Sequence, residues 1–153
     1  MGEIVEVIGI ILEEEILSEV NKSPLYSIIL DEATDITVTK QLGVSIPYLD
    51  NNAVVRTRNL KLLEIINGTA DVITETVILY LTSKTPVTLD IRKLAGGATD
   101  GASVMVGCEH GVVTRIKQVV PTFITTPCSA HRLSLATCDA SDASTMIQDS
   151  SEF

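Results

Sequence analysis

Apolar and polar positions alternate along this chain with periods that change from segment to segment. Over residues 3–20, Ile4, Ile8, Ile11, Leu12 and Ile16 recur every three to four positions beside Glu15 and Glu19. That spacing predicts an amphipathic helix with Glu13, Glu14 and Glu15 facing solvent. Asn21, Ser23 and Pro24 end it. Residues 26–30 (YSIIL) are β-rich and predict a buried strand that delivers Asp31 at its end. From Gln41 to Leu49 the pattern is strictly alternating, with Leu42, Val44, Ile46 and Tyr48 on one face. Asp50, Asn51 and Asn52 then form a turn cluster, and residues 53–65 return as the second arm of a hairpin. Pro47 interrupts the first arm because it has no N–H for the ladder.

Helical periodicity resumes after Asn67-Gly68. Thr69 is placed to cap a helix reaching about Ser83, with Ala70, Ile73, Val77 and Leu81 inward. Residues 84–93 read as a connection and 94–99 as a short, Gly-rich strand ending in Asp100-Gly101. A helix over 111–119 puts Val112, Val113, Ile116 and Val119 inward, and Pro121 stops it. Residues 122–126 are extended, and 128–138 begin another helix. From Asp139 the chain turns small and polar. A meander of three strands followed by α/β alternation predicts a mixed sheet with flanking helices.

Composition narrows the reading. The chain has 153 residues, which fits one domain, and 45% of them are hydrophobic, enough for a core. Three Tyr, two Phe and no Trp exclude a base-stacking platform. The formal charge of −9 argues against coating nucleic acid by bulk charge. That average hides a pattern: residues 1–39 carry −8, 40–132 carry +3 and 133–153 carry −4. The odd cysteine count (Cys108, Cys128, Cys138) and the lack of a signal sequence or spanning segment imply an intracellular protein, nuclear or cytoplasmic, with no membrane partner.

Two aspartates stand out by position. Asp31 and Asp100 each follow a predicted strand, and in open α/β sheets such positions line the functional edge. If the two strands are neighbours, their carboxylates converge, and paired hard oxygen donors select Mg²⁺ or Mn²⁺. The bland alternative is that both are turn residues, since Asp-Gly is a turn signal. Cys128 and His131, with Cys108 and His110, bring zinc to mind, but zinc is not expected, because the Cys108-x-His110 spacing is tight for two tetrahedral ligands. Arg115, Lys117 and Arg132 are candidates for touching phosphate, against the reading of an ordinary solvated helix face.

The blocks YSIILDEATD at 26–35, KQLGV at 40–44, TDGASVMVG at 99–107, GVVTRIK at 111–117 and CSAHRLSLA at 128–136 resemble the hAT-superfamily transposases. More narrowly, they are similar to the transposase-derived animal group that includes host proteins of the zinc-finger and MYM type. The resemblance implies a ribonuclease H-like mixed sheet and an ancestral metal-dependent DNA strand cleavage and transfer. It maps the first two catalytic, metal-binding acids onto Asp31 and Asp100, and it marks Asp35, Cys128 and His131 as motif positions. The third acid of the pattern lies far downstream, past a large helical insertion. The expected organisation is therefore an N-terminal helix over 1–23, a partial core over 24–140, incomplete at its C-terminus, and a polar tail over 141–153. On this reading activity is vestigial, Mg²⁺ or Mn²⁺ binding is weak, and DNA is the ancestral partner. The alternatives are a non-enzymatic interaction or regulatory module with a protein partner or self-association, or a fragmentary gene product of a longer protein.

Overall fold

Five strands form one mixed sheet with helices gathered on one side. The structure, a computed structural model, describes residues 2–34, 40–83, 87–129, 132–134, 136–138 and 140–141. Helix α1 (Gly2–Lys22) precedes the meander β1 (Tyr26–Thr34), β2 (Lys40–Leu49) and β3 (Val55–Glu64). Helix α2 (Ala70–Thr82) leads through a 3-10 turn (Ile91–Lys93) to β4 (Leu94–Thr99). Helices α3 (Ser103–Val106) and α4 (Val112–Val119) carry the chain to β5 (Ile124–Pro127). The strand order is β3-β2-β1-β4-β5, antiparallel through the meander and parallel from β1 to β4 and from β4 to β5. The parallel pairs follow from the helical crossovers, because a parallel partner cannot be reached by a tight turn. Described residues between 129 and 141 are helical.

The alternation read in the sequence fixes the core face. Tyr26, Ile28 and Leu30 on β1 and Leu42, Val44, Ile46 and Tyr48 on β2 are buried, while their neighbours in sequence are not. Against them pack Leu17 and Val20 of α1, Ile73, Val77 and Leu81 of α2, and Val112, Val113 and Ile116 of α4. Removing a residue such as Leu30 would leave a cavity in a layer closed from both sides. The opposite face, with Ser27, Ile29 and Asp31 on β1 and Leu62 on β3, is only partly buried or exposed.

Pro47 is accommodated inside β2. The β1–β2 register runs from Thr34↔Lys40 to Ile29↔Ser45 and resumes at Tyr26↔Tyr48, passing over Pro47 where the N–H is missing. Val119, expected inward, is half exposed, since α4 ends there and its buried stripe stops at Ile116. Thr69 does precede α2, but its side chain makes no cap; the hydroxyl donates to Asn67 Oδ1 at 2.7 Å instead.

Helix α1 departs from the expected stripe. Ile4, Ile8, Ile11 and Leu12 are exposed, and the first buried residue is Glu13, 7% accessible. The Glu13 carboxylate accepts from the Tyr80 hydroxyl and from Lys61 Nζ (3.2 Å), and the Lys61 ammonium lies 5.7 Å from the Tyr80 ring centre. Glu19 accepts from the Tyr48 hydroxyl. Two glutamates expected in solvent therefore tie α1 to β2, β3 and α2. Burial and the bond to Glu13 push the Tyr80 phenol upward in pKa. Glu13→Ala is expected to cost about 2–3 kcal/mol, because it strands the half-buried hydroxyl of Tyr80 and the Lys61 charge. A urea midpoint unchanged by the substitution would contradict that role.

Among the described residues, one buried group has no partner. The Tyr26 hydroxyl is enclosed and makes no hydrogen bond, and desolvation, with the nearby Asp90 carboxylate, pushes its pKa upward. Tyr26→Phe is expected to raise stability by about 1 kcal/mol, since it removes a desolvated hydroxyl and keeps the ring. The check is a higher urea midpoint at unchanged slope; a lower one would mean that the hydroxyl is bonded.

Candidate functional site: a carboxylate pair at the parallel strand edge

The register decides which residues meet. The last pairs between parallel strands are Leu30↔Thr99 and Thr99↔Pro127. Asp31, Asp100 and Cys128 are each the next residue after these paired positions. The Cys128 amide extends the ladder by donating to Thr99 O at 3.0 Å.

Asp31 lies within β1 and not at its end. The strand runs on to Thr34 because residues 31–34 pair with Gly43 to Lys40 of β2. The expectation of a strand-end aspartate is corrected on that point, although the level in the sheet is the same as that of Asp100. Leu30 and Thr99 are buried toward the helices, so their successors turn to the open face. Asp31 is exposed and Asp100 partly so.

Asp100 is held by its own turn. One oxygen, Oδ1, accepts from the Ala102 amide at 3.0 Å, and Gly101 adopts φ +86°, a conformation that glycine enters without strain. The other oxygen has no hydrogen bond among the described residues. Neither Asp31 nor Asp100 has an ion-pair partner among the described residues.

Beside Asp31 the open face forms a cavity of about 410 Å³, lined by Ile29, Asp31, Gly43, Ser45, Asn59 and Leu62 among others. Ser45 Oγ donates to Asn59 Oδ1 at 2.9 Å, which leaves the Asn59 amide nitrogen for a ligand. Sequence reading missed this cavity; its signal was the small residues, Gly43 and Ser45, alternating with the buried stripe of β2. A polar cavity of about 350 Å³ around Lys22, Tyr48 and Arg56 lies at the opposite end of β2, where Arg56 pairs with Asp50 at 2.9 Å.

Asp31 and Asp100 offer oxygen donors only, the kind that hard ions such as Mg²⁺ and Mn²⁺ take. No group of three or more His, Cys, Asp or Glu able to hold a metal occurs among the described residues. Cys128 is partly buried, and Cys108 and His110 are exposed on the loop before α4. Asp35 and His131 lie outside the described residues.

The basic candidates divide. Arg115 is engaged in packing: it pairs with Asp71 at the start of α2 (2.5 Å) and donates Nε to His110 O (3.1 Å). Lys117 and Arg132 are exposed. No described helix is long and apolar enough to cross a membrane.

A family model described as DUF4371, ZMYM1/FAM200, RNase-like domain, matches residues 2–111. The matched span includes Asp31 and Asp100 and stops before Cys128 and His131.

Proposed function

Since the chain belongs to the DUF4371 family of ZMYM1/FAM200 RNase-like domains, we propose that its carboxylate edge is a divalent-cation and DNA-phosphate site of the hAT transposase type. The observation that supports this reading is the parallel register, in which Leu30 pairs with Thr99, the residues just before Asp31 and Asp100. Asp31 is held by its pairing with Gly43 of β2. Asp100 Oδ1 accepts from the Ala102 amide, and its second oxygen would serve a metal. A bound Mg²⁺ or Mn²⁺ supplies Lewis-acid charge against a phosphate oxygen. The sequence blocks that resemble hAT transposases support the choice of DNA over other phosphate ligands. Asp31 and Asp100 correspond to two of the three acids of that pattern. The reading therefore covers metal and DNA holding, and the cleavage step is assigned to no residue of this chain.

The test is fluorescence anisotropy of a labelled DNA duplex with the 153-residue chain. Affinity is expected to rise about tenfold when Ca²⁺ or Mg²⁺ replaces EDTA, a gain of about 1.4 kcal/mol. Asp31→Asn is expected to remove that gain and leave the metal-free affinity unchanged. Binding indifferent to the metal, or a metal effect that survives in the variant, would overturn the reading. A non-enzymatic interaction module is the second reading, and the exposed apolar half of α1 favours it.

A further inference from the structure

Two large apolar surfaces of this chain lie uncovered. The first is the N-terminal half of α1, where Ile4, Val5, Val7, Ile8, Ile10, Ile11 and Leu12 are each 46–67% accessible. Residues 7–12 carry no charge, and no described residue before Glu13 is buried. A helix apolar on every side is ordinarily enclosed. The second surface is the open face of the sheet. Leu25, Val55, Leu62 and Ile124 are 52–70% accessible there. Between them the floor is small, with Gly43, Ser45 and Ala98 partly exposed. Away from the Asp31 end, a hollow of about 210 Å³ lined by Leu25, Ser27, Pro47, Val55 and Ala95 among others contains no charged side chain.

We propose that these two surfaces cover each other between two copies of the chain: α1 of each copy lies in the sheet trough of the other. The match is one of character and size. The uncharged residues 7–12 of the helix meet a trough with raised aliphatic walls and a low floor, uncharged in its hollow beside Leu25 and Val55 and charged only at its Asp31 and Lys61 end. The helix patch alone offers roughly 500 Å², below the about 800 Å² per partner of a stable interface. Reciprocal exchange engages both patches of each copy, bringing the loss to roughly 1,000 Å² per copy, and it closes as a two-fold dimer. Pairing of α1 with α1 is disfavoured, because it covers a single stripe and brings the exposed Glu6, Glu14 and Glu15 of two copies together. The same acids oppose docking on an anionic membrane.

The experiment is sedimentation equilibrium of the 153-residue chain between about 1 and 100 μM. A dimer mass is expected at the upper end. Ile8→Asp with Ile11→Asp, and separately Val55→Glu with Leu62→Glu, are expected to give monomers. All four side chains are exposed, so circular dichroism is expected to match the parent. Mixing the two variants leaves one intact helix and one intact trough, and a weakened heterodimer is expected to return. A monomeric parent overturns the proposal. Dimerisation that survives in the Val55/Leu62 variant assigns the contact to α1 pairing and overturns it too, as does co-sedimentation of the parent with phosphatidylserine-containing vesicles.

Discussion

Gly96→Val is expected to destabilise the domain by about 3 kcal/mol, at the upper end of what overpacking costs. A Cβ at Gly96 would fall well inside contact distance of Ile124 O and within 3.3 Å of Ile124 C. Both atoms are backbone, so no rotamer change relieves the clash. Strand β5 would have to move off β4, breaking the ladder that runs from Gly96↔Ile124 to Thr99↔Pro127. Gly97 is nearly as tight: its Cβ would lie 2.8 Å from Phe123 Cζ and 2.9 Å from Ile28 O. The bare pair of glycines in β4 is thus the condition for placing β5, and with it Cys128, beside Asp100. The check is a urea midpoint well below that of the parent. A midpoint equal to the parent's would mean that β5 is not seated as described.

The second large effect concerns the carboxylates. Asp31→Asn and Asp100→Asn are each expected to raise the thermal midpoint in EDTA, because either one removes a repulsion between neighbouring like charges. They are expected to abolish stabilisation by Mg²⁺. For the parent, metal at ten times its dissociation constant adds about 1.4 kcal/mol by mass action. The opposite responses to charge removal and to metal distinguish a functional pair from two turn aspartates. Two turn aspartates would show no response to Mg²⁺ and an unchanged midpoint in EDTA, although the Asp100 Oδ1 holds the Ala102 amide. Asparagine keeps that acceptor, so the turn itself is preserved in the variant.

The legible parts of the fold were those written in local period. Alternation in β2 placed Leu42, Val44, Ile46 and Tyr48 inward, and the 3.6-residue stripe of α2 placed Ile73, Val77 and Leu81 there. What sequence could not show depended on distant partners. Glu13 is buried because Tyr80, 67 residues away, and Lys61 satisfy its carboxylate, and no local pattern carries that. Strand β1 extends through Asp31 because β2 pairs with it, whereas the residues DEAT have little strand preference of their own. The four-residue α3 is too short for any periodicity to register. At the site, both aspartates were legible as positions following apolar runs and as positions matching hAT blocks. That they follow a paired couple of residues, Leu30 and Thr99, was not legible, since it rests on the parallel register of β1 with β4. The cavity at Ser45 and Asn59 needs the β2–β3 register as well.

The central claim is that Asp31 and Asp100 form one cation site, and Mn²⁺ titration followed by amide NMR tests it most directly. Paramagnetic broadening falls steeply with distance, so the first resonances lost locate the ion. The account predicts that amides around Asp31 and around Asp100 to Ala102 broaden together at the lowest Mn²⁺ concentrations. It predicts no early broadening there when both aspartates are asparagine. Early broadening centred on other acids, such as Glu14 or Glu109, or an unchanged pattern in the double variant, would contradict it.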